Sequence, residues 1–175
     1  MSIRTTKTVH TSKYFKVVQK EIERNGKNFT KDFIEKNAIV VIIPYTKEYE
    51  IYMEWQFRDV FEKHILETVA GTIEGDDDPL TTAKRELEEE AGLTAKTWKK
   101  IAEWETSSSM QGAIHFFAST DLTKGKQQLD DDEEIQITRV PLAELLDKID
   151  TGELKISYQV AALLLFDRLR KEGKL

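Results

Sequence analysis

The 175-residue chain carries 26 Lys and Arg against 32 Asp and Glu, a formal net charge of -6, and no Cys. This balance removes the electrostatic footprint of a protein that binds nucleic acid through its phosphates. The missing thiols exclude disulfides, zinc ribbons and cysteine nucleophiles.

At this length one domain is expected, with room for a small N-terminal appendage. The start, MSIRTTKTVHTSKYF, has no apolar signal region, and AIVVII from Ala38 to Ile43 is far too short to span a bilayer. A chain free of membranes and working in the cytoplasm is the expectation.

In chain order, Tyr14 to Glu23 and Asn28 to Lys36 are rich in aromatic and β-branched residues, with Asn25-Gly26 between them. Asn-Gly readily takes the two positive-φ positions of a tight turn, so these segments predict a β-hairpin. Ala38 to Pro44 reads as a central strand, and Tyr49 to Trp55 as its neighbour. Pro79 suits a first helical turn, Asp78 an N-cap and Gly92 a stop, which predicts a helix over about Pro79 to Ala91. Its apolar stripe is Leu80, Ala83, Leu87 and Ala91. Ile114 to Ala118 and Ile135 to Val140 read as strands around an acidic loop, Gly125 to Glu134. Helices from Pro141 to Ile149 and from a Ser157 cap close the chain. Mixed strands and helices predict an α/β sandwich around a mixed β-sheet.

The stretch Asp76 to Glu90 holds seven carboxylates in fifteen residues, opposed only by Lys84 and Arg85. Like charges on a helix repel. Glu86, Glu89 and Glu90 are spaced i, i+3 and i+4 and share a face, with Glu88 pointing elsewhere. Carboxylates held that close raise one another's pKa unless a cation compensates, and hard oxygen donors suit Mg²⁺ or Mn²⁺. The bland alternative is a solvated acidic face.

The spacing runs from Gly71 through five residues to Asp77, then seven residues to Arg85-Glu86-Leu87, Glu89-Glu90, and Gly92-Leu93. This segment resembles the Nudix box, with Asp77 standing where the family has Glu. The resemblance implies a Nudix-like α/β/α sandwich over residues 38–175, preceded by an N-terminal β-hairpin extension over residues 1–37. It also implies hydrolysis of a nucleoside diphosphate linked to another group. By position, Glu86, Glu89 and Glu90 would be metal ligands, Arg85 would orient one of them, and Gly71 would make a tight turn.

Three further stretches, and a C-terminal match over Gly152 to Leu165, resemble the ADP-ribose pyrophosphatase branch. In Trp55-Gln56-Phe57-Arg58, the branch places Arg58 near substrate, with Gln56 beside it. In Leu66-Glu67-Thr68-Val69-Ala70-Gly71, the Ala70 carbonyl would be a further metal ligand, and Glu67 would support the substrate pocket. In Leu129 to Leu142, Glu133 would be a late general base, competing with the reading of a solvated loop. Glu105 to Gly112 replaces a longer Ser-Pro-Gly loop ending in an acid, and has neither that proline nor that acid. The branch also implies a homodimer built on the N-terminal region, where Tyr14, Phe15 or Phe29 would stack on a base or simply lie exposed or in the core.

The expected substrate is therefore a small nucleotide sugar: ADP-ribose or a related nucleoside diphosphate sugar, split into a nucleoside monophosphate and a sugar phosphate. Two alternatives stay open: a non-catalytic nucleotide-binding or regulatory module, and a house-cleaning nucleoside triphosphate pyrophosphohydrolase.

Overall fold

The computed structural model describes residues 2–131 and 133–175. Asp132, inside the acidic loop singled out above, lies outside the described residues. In chain order the elements are β1 (Ser2–Thr11), β2 (Phe15–Arg24), β3 (Lys27–Lys36), β4 (Ile39–Pro44), β5 (Glu50–Arg58) and β6 (Lys63–Thr72). They continue with α1 (Pro79–Glu89), β7 (Leu93–Glu105), β8 (Met110–Gln111), β9 (Ala113–Lys124), β10 (Ile135–Pro141), α2 (Leu142–Asp150) and α3 (Ser157–Lys171). Two compact units result: Met1–Ala38 with Trp104–Ile114, and Ile39–Glu103 with His115–Leu175. Among the described residues no helix is long and apolar enough to cross a membrane.

In the first unit β2 and β3 form the expected hairpin, and the turn residues Asn25 and Gly26 have φ of 53° and 70°. Both positive values suit a turn whose twist matches the strands. A further strand, β1, pairs antiparallel with β2, and β8 pairs parallel with β3, giving the order β1-β2-β3-β8. The sequence reading missed β1 because SIRTTKTVHT offers no apolar alternation, and the whole strand is exposed. Only Val18 and Ile22 of β1 to β3 are buried.

The second unit is built on a mixed six-stranded sheet in the order β10-β5-β6-β4-β9-β7. Val40, Val41, Ile42 and Ile43 of β4 point alternately to the two faces, and all are 0% exposed, so both faces are covered at β4. Helix α1 packs on β4 and β6, and α3 packs on β4. This is the expected α/β/α layering.

Strands β4 and β5 are not ladder neighbours, contrary to the sequence reading. Beyond an isolated bridge between Tyr45 and Ile51, β6 runs between them. It pairs with β5 from Arg58↔Lys63 to Met53↔Thr68, and with β4 from Ile42↔Val69 to Ile39↔Thr72. The handover falls between Thr68 and Val69, so past Thr68 β6 is no longer paired with β5.

Helix α1 is set by local chemistry. Asp78 accepts the Thr81 N–H at 2.9 Å, Pro79 opens the first turn, and Gly92 follows the C-terminus with a φ of 61°. Its buried side chains are Thr82, Ala83, Glu86 and Leu87, so the stripe facing the sheet contains a carboxylate. Helix α3 starts at Ser157 itself, with Ile156 in the cap position and no side-chain cap bond, so Ser157 is a first helical residue and not the cap.

Leu87→Ala removes a fully buried side chain between α1 and the sheet and should lower unfolding free energy by about 2–5 kcal/mol in urea titration. Leu164→Ala on the exposed side of α3 should cost no more than about 0.5 kcal/mol.

Candidate active site

Four glutamates are buried where β5, β6 and α1 meet: Glu54 and Glu67 at 2% exposure, Glu90 at 7% and Glu86 at 8%. Isolated ionised carboxylates are expensive in such surroundings, so each needs a partner. Glu54 and Glu67 stand opposite each other on paired strands, with their side chains on one face of the sheet. Gln56, two residues on from Glu54, shares that face and is also buried, with its Oε1 unpartnered.

Two arginines answer part of this charge. Arg58, at the end of β5, donates from Nε to Glu67 Oε2 at 2.5 Å. Arg85 bridges two acids on its own helix, donating from Nη2 to Glu86 Oε1 and from Nη1 to Glu89 Oε2, each at 2.7 Å. Glu89 differs from its neighbours, because its side chain is 39% exposed. The three helix acids that share a face in sequence therefore part in the fold: Glu86 and Glu90 turn inward, and Glu89 stays at the rim.

Glu90 lies just past the last helical residue. Its carboxylate accepts the backbone N–H of Ala70, which lies past the point where β6 leaves the β5 ladder, while its Oε2 has no partner. Burial, followed by the charges of Glu54, Glu86 and Glu133, pushes the Glu90 carboxyl up to about 10. Burial and the facing Glu67 push Glu54 up to about 8, against the opposing pull of Arg58. Glu86 is raised by burial, and Arg85 counters it. The fields of these groups overlap in one small volume.

Gly71 does not make a tight turn. It lies in β6 with no positive φ, and a Cβ there would stand 2.0 Å from Glu86 Cδ. The glycine is needed for space, because the Glu86 side chain lies across its backbone. Asp77 sits exposed in the turn before α1, with its N–H bonded to the Glu74 carbonyl at 3.1 Å.

Glu133 reaches the cluster from the loop before β10, and its charge acts on Glu54, Glu86 and Glu90. Its Oε2 accepts the Asp130 N–H at 3.1 Å, which curls the side chain onto its own turn. Among the described residues no three His, Asp or Glu side chains are gathered closely enough to hold a metal ion as they stand. The donor chemistry nevertheless fits a hard divalent cation, since the buried acids outnumber the arginines and two of them present unpartnered oxygens.

Glu54 was missed in the sequence, although a signal was present. In YEIYMEWQFR it has the same parity as Gln56 and Arg58, so a strand that points those two at the site points Glu54 there as well.

The model of the NUDIX domain matches residues 35–160. The chain is 34% identical over 154 residues to an ADP-ribose pyrophosphatase of Bacillus subtilis, covering 85% of this chain and 83% of that one. It is 31% identical over 166 residues to a methanol dehydrogenase activator of Bacillus methanolicus, covering 90% of each. A crystal structure of an ADP compounds hydrolase superposes with a TM-score of 0.85 over 99% of this chain and 96% of that one, at 22% identity, and so shares the fold. The box around Glu86 and Glu90, the matched span and these relatives place the chain in the NUDIX family, among the ADP-ribose pyrophosphatase-like hydrolases, as an enzyme.

Proposed function

We propose that this enzyme hydrolyses the pyrophosphate bond of ADP-ribose or a related nucleoside diphosphate sugar, giving a nucleoside monophosphate and a sugar phosphate. The observation that carries the reading is Glu90, buried at the end of the box helix beside Glu86 with its Oε2 unpartnered. Two relatives named ADP-ribose pyrophosphatase, from Bacillus subtilis and Mycobacterium tuberculosis, support the substrate class.

In this reading Glu86, Glu89, Glu90 and the Ala70 carbonyl would hold Mg²⁺ or Mn²⁺. Such a cation, when bound, would supply neutralisation of the diphosphate and acidification of the attacking water. Arg85 keeps Glu86 and Glu89 in orientation through its two hydrogen bonds. Glu133 takes the proton of the water as its oxygen bonds to phosphorus and the bridging oxygen leaves. Arg58, steadied by Glu67, meets the substrate phosphates or ribose, with Gln56 next to it. An acidic protein thereby receives an anionic substrate.

The same reading makes the protein a cytoplasmic homodimer joined through residues 1–37. Its support is the exposure of Ile3, Val9, Tyr14, Phe15 and Phe29 on or beside a sheet with only two buried residues in its three long strands.

A second reading rests on the relative named methanol dehydrogenase activator, which matches over nine-tenths of both chains. There the protein would raise the activity of a dehydrogenase, and adding it to a methanol dehydrogenase assay separates the two readings.

With millimolar Mg²⁺ the protein should release AMP from ADP-ribose. Silence towards ADP-ribose and a panel of nucleotide sugars would remove the first reading. Glu90→Gln should lower kcat at least about a hundredfold with the fold intact by circular dichroism. Gly71→Ala should displace the Glu86 carboxylate, reduce kcat by up to about a hundredfold and lower Tm through overpacking. Sedimentation should give twice the chain mass of 20.3 kDa, and a species at the single mass would refute the dimer.

A further inference from the structure

The buried acids of the cleft are unevenly matched by bases. Glu67 is matched by Arg58 at 2.5 Å, and Glu86 and Glu89 are both matched by Arg85 at 2.7 Å. Glu54 and Glu90 remain, and no described Lys, Arg or His makes an ion pair with either. Each is more than nine-tenths buried, and each presents a carboxylate oxygen with no hydrogen-bond partner, Oε1 of Glu54 and Oε2 of Glu90.

The two acids come from different elements. Glu90 hangs from the end of α1 and is tethered by the Ala70 N–H. Glu54 rises from β5, one register step from the Met53↔Thr68 pair at which β5 and β6 part. Glu54 is the charged neighbour that acts most strongly on Glu90. A fold keeps two such acids unmatched in its interior either by leaving them protonated or by taking a positive charge from outside the chain, and their unpartnered oxygens are placed to receive one. Mg²⁺ and Mn²⁺ are commonly held by one or two carboxylates plus water and substrate phosphate, so a pair is a sufficient protein contribution.

We propose that Glu54 is a further ligand of the divalent cation, binding it together with Glu90 across the split between β5 and β6. This rests on the metal-dependent reading above and adds to it a strand carboxylate that the box does not contain. The site then has a floor on rigid β-structure, with the helix acids closing on it from one side.

The test is Mn²⁺ binding by electron paramagnetic resonance and calorimetry, without substrate, on the wild-type chain and on Glu54→Gln and Glu90→Gln. Gln keeps the volume of Glu and removes the charge, so both variants should fold. The proposal expects Glu54→Gln to bind Mn²⁺ at least about tenfold more weakly, or to lose one ion per chain. It also expects the metal-free Tm of Glu54→Gln to rise by a few degrees, roughly, while most of the Mn²⁺-induced gain in Tm disappears. A purely structural Glu54 would change the metal-free Tm and leave the Mn²⁺ affinity alone. Wild-type affinity and stoichiometry in Glu54→Gln, with loss in Glu90→Gln, would overturn the role of Glu54 and leave the proposed function standing. Absence of Mn²⁺ uptake by the wild-type chain would overturn both.

Discussion

The imbalance between buried acids and available bases is what the second unit is organised around. Glu54, Glu67, Glu86 and Glu90 are all buried, and among the described residues only Arg58 and Arg85 make ion pairs with any of them. Removing a carboxylate from water without a compensating charge is strongly unfavourable. A structure tolerates it where burial is set by elements that are stable for other reasons. Here those elements are the all-apolar β4 and the fully buried Leu87 of α1, which hold the acids in place.

The split in the sheet makes this arrangement possible. Because β6 serves β5 with one half and β4 with the other, its backbone near Ala70 lies at an open edge. A continuous ladder would use the Ala70 N–H within the sheet, whereas the split leaves it to bond the Glu90 carboxylate. Gly71 next to it leaves the gap into which Glu86 folds. Backbone geometry and side-chain chemistry therefore depend on each other over a span of two residues.

The N-terminal unit follows a different logic. Its strands are ten residues long and carry little buried area, so their stability comes from ladder bonds, the Asn25-Gly26 turn and cross-strand pairs such as Arg4 with Glu23. A sheet with so small a core is marginal by itself.

Much of this was readable before folding. The Asn-Gly turn, the cap at Asp78, the stop at Gly92 and the i, i+3, i+4 spacing of Glu86, Glu89 and Glu90 are local signals, and local backbone chemistry obeys them. The family membership was likewise carried by one continuous stretch of chain. What local pattern does not encode is which strand lies beside which. Placing β6 between β4 and β5 is decided by packing of residues distant in sequence, and that placement separates an inward Glu90 from a rim Glu89. It also turns Gly71 from an expected turn into a cavity for Glu86, and sets Glu54 opposite Glu67. Burial and charge pairing are properties of the assembled interior, so the sequence named Glu67, Glu86 and Glu90, while only the tertiary structure added Glu54 and decided which of these acids go unmatched.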